Sequence, residues 1–270
     1  LGAFAVPGDS VLLHSPTYVG FTRCIIDSGF HIVHSPLKKD ENGVWRMDYE
    51  DMDKKLKENH IHLAIFCSPH NPSGRVWERE EIEAAMEVYR KNDCIVISDE
   101  IWSDLTLGNR QHIPTQTVSE DAKNRTIALY APSKTFNLAG GQNSFMIIAD
   151  EKLRARWDDF AKRIRLMTGN AFGFVAAEAA YKGGQDWLDK VKKQIVDNDQ
   201  YLRELFKENL PEIVVTPLEG TYLVWIDLRA YVKPEDTREF IQKKCRLAVD
   251  FGDWFGGEQF NGFIRMNLAT

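Results

Sequence analysis

An α/β fold is predicted for this chain: a large, doubly wound mixed-sheet domain followed by a smaller C-terminal α+β domain. Three observations predict it. Apolar runs of strand length recur at 61–67, 94–98 and 126–130, too short for helices and each bounded by turn-forming or polar residues. Between the first two, over 78–90, Ile82, Ala85, Met86 and Tyr89 follow helical spacing, with acidic residues in the first turn where the helix dipole favours them. Strand, helix and parallel strand in that order make a right-handed crossover. Beyond residue 148 the pattern changes to helices and then to short strands separated by turns.

The elements follow in order. Pro7-Gly8-Asp9-Ser10 is a turn leading into a short strand, Val11-Leu12-Leu13, which ends at Ser15-Pro16-Thr17-Tyr18. The alternation continues through 126–130 and a strand at 144–148. Leu153, Trp157, Phe160 and Ile164 mark a helix, and Trp187, Leu188, Val191, Ile195, Leu202 and Leu205 mark a long one that can carry the chain between domains. Strands at 213–215 and 222–226, a helix near 237–245 and a last strand at 263–268 complete the smaller unit. The domains are expected to divide as 1–190 and 191–270. No internal repeat or low-complexity segment is visible.

The 270 residues, 43% of them hydrophobic, are enough to fill such a core. A net charge of −6 argues against nucleic acid or an anionic membrane as a partner, since both call for clustered Lys and Arg. No run approaches the roughly 20 apolar residues that cross a bilayer, and the start of the chain lacks a secretory signal; a cytoplasmic location is expected. The four cysteines, Cys24, Cys67, Cys94 and Cys245, have no C-x-x-C spacing and read as reduced and structural. His31/His34 and His60/His62 lack further ligands at recognisable spacing, so no metal site is expected.

The three strand candidates each deliver a polar residue at the C-terminal end: Asn71 in Ser68-Pro69-His70-Asn71-Pro72-Ser73-Gly74, Asp99 in Asp99-Glu100, and Lys134 in Ala131-Pro132-Ser133-Lys134. In open α/β sheets, ligands bind outside the carboxyl ends of the strands, so these three are predicted to converge. An amide, a carboxylate and an amine at one locus suit a pyridoxal-phosphate enzyme.

These motifs, with Asp99-Glu100-Ile101-Trp102, Ser133-Lys134-Thr135-Phe136-Asn137 and Ile264-Arg265-Met266-Asn267, resemble in order and spacing the fold-type I, class I/II aminotransferase family, and within it the cystathionine β-lyase (C–S lyase) subgroup. The resemblance covers nearly the whole chain. It implies a PLP-transferase-like fold, pyridoxal 5'-phosphate as cofactor, a small amino acid as substrate and a homodimer. Lys134 is then the Schiff-base lysine and the base for the α-proton. Asp99 would pair with the pyridinium nitrogen, and Asn71 would donate to the phenolic oxygen. Tyr18 would lie against the ring, Ser133 would contact the phosphate, and Arg265 would clamp the substrate α-carboxylate through its planar fork. All but Ser133 have a plainer alternative: a surface lysine, a helix-capping aspartate, a turn asparagine, a core tyrosine, a surface ion pair.

The departures also inform. Gln142 stands where aminotransferases place a phosphate-binding arginine, Trp102 stands where they often have a tyrosine, and Ala131 stands where a hydroxyl is common. With His70, these move the expectation toward a lyase performing β-elimination on cystathionine or related cysteine S-conjugates, giving pyruvate, ammonia and a thiol. The rivals are an aminotransferase and a non-catalytic pyridoxal-phosphate-binding regulatory protein. By the same resemblance, a phosphate-binding segment is expected before residue 1 and a helix after residue 270, as for a truncated chain.

Overall fold

The computed structural model describes residues 1–166 and 169–269. The first part alternates strand and helix: β1 (Ser10–Leu13), α1 (Val19–Asp27), β2 (His31–His34), the hairpin β3 (Lys38–Lys39) and β4 (Trp45–Arg46), α2 (Tyr49–Glu58), β5 (Leu63–Cys67), α3 (Arg79–Lys91), β6 (Ile95–Asp99), α4 (Glu120–Arg125), β7 (Thr126–Tyr130), the one-turn α5 (Pro132–Thr135) and β8 (Phe145–Ile148). Six of these strands form one sheet in the order β2-β1-β5-β6-β7-β8. All its pairs are parallel except β7 with β8, so the sheet is mixed.

The strands read as continuous apolar runs because both faces of the sheet are covered. Side chains alternate between faces. Leu12, Ala64, Phe66 and Val96 point to one cluster with Met52 and Leu56 of α2 and Ile82, Met86 and Tyr89 of α3. Val11, Leu13, Leu63, Ile65, Ile97 and Ile127 point to the other, with Ile25 of α1. That second cluster is closed by Leu153, Trp157 and Phe160 of α6 (Glu151–Arg163).

After α6 come α7 (Ala171–Gly183) and α8 (Gln185–Asn209), then β9 (Val214–Val215), β10 (Leu223–Asp227), α9 (Thr237–Glu239) continued by a wider turn, β11 (Asp250–Phe251) and β12 (Phe263–Asn267). The strands make an antiparallel sheet ordered β11-β12-β10-β9. Helix α8 is 25 residues long, about 38 Å at 1.5 Å per residue. Its early residues Leu188 and Ile195 pack with Trp102, Leu105 and Leu107 beside the large sheet. Its later residues Leu202 and Phe206 pack on Val224, Ile226 and Ile264 of the small one. The helix runs unbroken through 190/191, so the boundary expected there falls inside an element and not in a loop. No described helix is long and apolar enough to cross a membrane. Among the described residues no cluster of His, Cys, Asp and Glu could hold a metal, and all four cysteines are free.

Candidate active site

A cleft of about 440 Å³ opens at the carboxyl ends of β5, β6 and β7, facing the small sheet. Tyr18, Asn71, Asp99, Ser133, Lys134 and Arg265 all line it, together with Phe21, Trp102, Tyr222 and Asp250. Asp99 is the last residue of β6 and sits at the strand end as the sequence suggests. Lys134 does not: β7 stops at Tyr130, and Pro132, whose fixed φ suits a first helical position, starts a turn of helix that carries the lysine. Asn71 follows β5 on a loop folded by Gly74, whose φ of +71° lies in the left-handed region.

The electrostatics separate the two adjacent acids. Glu100 is fully enclosed and turned away from the cleft. Its carboxylate accepts from His112 Nε2 at 2.6 Å, the Tyr130 hydroxyl at 2.7 Å, the Ser98 hydroxyl at 2.8 Å and the Thr115 N–H at 3.1 Å. Burial alone would raise its pKa, and these donors bring it below the ordinary range. The Asp99 carboxylate faces the cleft and accepts a single hydrogen bond among the described residues, from the Ile101 N–H at 3.2 Å. Burial pushes its carboxyl up to about 6, against the opposing pull of that N–H and of Lys134. A buried carboxylate so poor in donors would be stabilised in its charged form by a cation placed beside it.

Lys134 is half-buried with its Nζ 5.6 Å from the Trp102 ring centre. Burial, then the nearby Arg265 charge, lower its pKa from the usual lysine value, while Asp99 pulls the other way. Arg265 Nη1 donates to Asn71 Oδ1 at 2.7 Å. That contact turns the Asn71 amide so that its NH₂ is left to donate elsewhere, with no other partner among the described residues. Arg265 also donates through Nε, at 3.0 Å, and through Nη2 to Asp250, and its guanidinium lies 4.7 Å from the Phe255 ring centre. The Tyr18 ring packs edge-on to Phe21 at 5.4 Å. Gln142 and His70 are not among the residues lining the cleft. His70, held neutral by burial with its pKa down to about 3, bonds Ser73 at 2.8 Å and packs on Trp77, shaping the Asn71 loop from behind. Cys67 reaches the cleft, but burial raises its thiol well above the usual range, and Sγ donates to the Pro69 carbonyl.

Sequence reasoning missed Asp250, Tyr222 and Phe21. Tyr222 was legible only as a strand residue, although it meets Trp102 edge-to-face at 4.7 Å. Asp250 had a faint signal, a charge inside the short apolar stretch Val249-Asp250-Phe251.

The family model of class I and II aminotransferases matches residues 1–270. The cystathionine β-lyase PatB of Bacillus subtilis is 37% identical, over 99% of this chain and 69% of its own length. The crystal structure of cystalysin from Treponema denticola, which contains a pyridoxal 5'-phosphate cofactor, superposes with a TM-score of 0.94 at 35% identity, over 100% of this chain and 68% of that one. A PLP-bound putative aminotransferase from Clostridium difficile gives the same TM-score of 0.94 at 36% identity, over 99% and 68%. This chain thus spans about two thirds of the length of these relatives. With its fold, its mixed sheet and its full-length match to that model, the chain belongs to the class I and II aminotransferase family.

Proposed function

We propose that this protein is a pyridoxal-phosphate-dependent carbon–sulfur lyase that releases pyruvate, ammonia and a thiol from cystathionine or related cysteine S-conjugates. The observation that carries the proposal is the cleft itself. One buried, under-bonded carboxylate, one amide with a free NH₂, one amine of lowered basicity and one guanidinium line a single volume. The donor set fits pyridoxal phosphate: Asp99 would meet the ring nitrogen, Asn71 the phenolic oxygen, Lys134 the aldehyde, Ser133 the phosphate, and Tyr18 a ring face. Bound there, the cofactor supplies an electron sink for a carbanion next to the amino group.

The chain's own residues do the rest. Arg265 holds the substrate carboxylate and so fixes the α-carbon relative to Lys134. Lys134, half-buried and beside a second cation, has an amine whose basicity burial and the Arg265 charge lower, placed to take the α-proton. Sulfur then leaves from Cβ with the bonding electrons and takes up a proton as the thiol, and the three-carbon enamine left behind is released, tautomerises to an imine and is hydrolysed by water to pyruvate and ammonia. Trp102 and Tyr222, packed against each other, close one wall to water. The similarity to the cystathionine β-lyase PatB favours elimination over transamination, the second reading, which the similarity to a putative aminotransferase structure supports. The same proposal includes a homodimer, as the family resemblance implies, a cytoplasmic location, and the division of the chain near 190/191 into a cofactor-binding unit and a smaller one.

The test is turnover on cystathionine as sole substrate, with the protein loaded with cofactor. Continuous release of pyruvate and thiol is expected. A single stoichiometric turnover that resumes only when 2-oxoglutarate is added would overturn the lyase reading in favour of the aminotransferase.

A further inference from the structure

Asp250 stands directly opposite Arg265 in the β11–β12 pairing, so the fold itself, and not a mobile loop, sets one against the other. Its Oδ2 accepts from Nε at 3.0 Å and from Nη2. Asn71 takes one N–H of Nη1 at 2.7 Å, and the Phe255 ring supports the guanidinium face at 4.7 Å. A guanidinium has five N–H donors in a rigid fork. Three are committed to Asp250 and Asn71, which leaves one on each terminal nitrogen, a pair matched to the two oxygens of a carboxylate. The Arg265 side chain is only 12% exposed, whereas that of Asp250 is 38% exposed and lines the cleft.

We propose that Asp250 is the positioning residue for substrate recognition: by holding the Nε edge of Arg265 it aims the two remaining donors at the substrate's α-carboxylate. It thereby sets the preference for a free acid over an ester. The proposal rests on the reading of Arg265 as the carboxylate site. An ordinary cross-strand ion pair would stabilise the small sheet without touching that preference.

The experiment compares S-ethyl-L-cysteine with its methyl ester on cofactor-loaded wild type, Asp250→Ala, Asp250→Asn and Arg265→Gln, reading kcat/KM for each. In Asp250→Ala the acid-over-ester ratio should fall about tenfold or more, through KM for the acid, because a loosened fork is a misplaced one. Ester turnover should hold, which also shows that the variant is folded. Asp250→Asn keeps an acceptor oxygen and should retain most of the ratio. A wild-type ratio in Asp250→Ala, or acid and ester rates falling together, overturns the proposal. Arg265→Gln separates the two readings: if it too keeps the wild-type ratio, the carboxylate role of Arg265 itself is wrong; if it alone collapses the ratio, only the role of Asp250 falls.

Discussion

Arg75 and Glu219, 144 positions apart in the chain, meet at 2.6 Å with the arginine almost wholly enclosed. Arg75 lies just past the Asn71 loop and Glu219 in the turn before β10, so the pair latches one wall of the cleft to the other. Glu219 also accepts from the Val76 N–H at 3.0 Å and from Arg110 at 2.7 Å, while the second arm of Arg75 goes to Glu81. The Gly74 carbonyl completes the latch by accepting from the N–H groups of Glu219 and Gly220, both at 3.0 Å.

Removing Glu219 leaves Arg75 with Glu81 as its remaining carboxylate, and strips one buried arm of the arginine and the Val76 N–H of their acceptor. Glu219→Ala should therefore cost about 1–3 kcal/mol of unfolding free energy, measured by urea denaturation. A cost below about 1 kcal/mol would mean that the pair behaves like an exposed one.

The Asp99 carboxyl gives a pH signature in the cofactor-free protein. Burial raises it from an ordinary 3.8 to about 6, so between those values the folded state keeps a proton that the unfolded chain has released. Stability from this group is therefore full below about pH 4, falls as pH rises to about 6, and is level beyond. Asp99→Asn carries no such charge. Relative to wild type it should gain stability across that window, by up to about 3 kcal/mol. Loading the wild type with pyridoxal phosphate should erase the difference by supplying the missing cation. The same variant should lose about 10²–10³-fold in turnover. Parallel stability curves for the two cofactor-free proteins from pH 4 to 7 would show that Asp99 is not the strained carboxylate.

Lys134→Ala should abolish turnover and leave the fold in place. The side chain is half-buried above Trp102, and α5 is started by Pro132, so an alanine, itself a good helix former, opens no cavity there. Circular dichroism and thermal unfolding should match wild type while pyruvate release is lost. Wild-type turnover in this variant would remove the lysine from the chemistry.

What was legible in the sequence was local. β1, β5, β6, β7, β8, β10 and β12 announce themselves as apolar runs, and α3, α6 and α8 by helical spacing of their buried faces. Other elements escaped for physical reasons. β2 is the four-residue edge His31-Ile32-Val33-His34, too short and mixed to show a period. α2 is mostly charged, with only Met52 and Leu56 buried, and α7 is built of small and apolar residues on every side, so no stripe stands out. At the site, the residues at or just past strand ends were found because parallel sheets put function there. Asp250 and Glu219 act only through partners brought close by the folded chain, and no spacing encodes those meetings.

The geometry of Arg265 is less replaceable than its charge. Asp250, Asn71 and Phe255 together grip a planar fork. A lysine placed there would keep one positive charge but could satisfy neither Asp250 nor Asn71 while also pairing two carboxylate oxygens. Arg265→Lys should therefore lower kcat/KM for amino-acid substrates about 10–10²-fold, the worth of one lost charge-assisted hydrogen bond. Stability should change little, because a cation still faces Asp250 across the β11–β12 pair. The measurement is steady-state kinetics beside thermal unfolding of the same preparation. An Arg265→Lys protein with wild-type kcat/KM would mean that the substrate carboxylate is held by charge alone, or held elsewhere in the cleft.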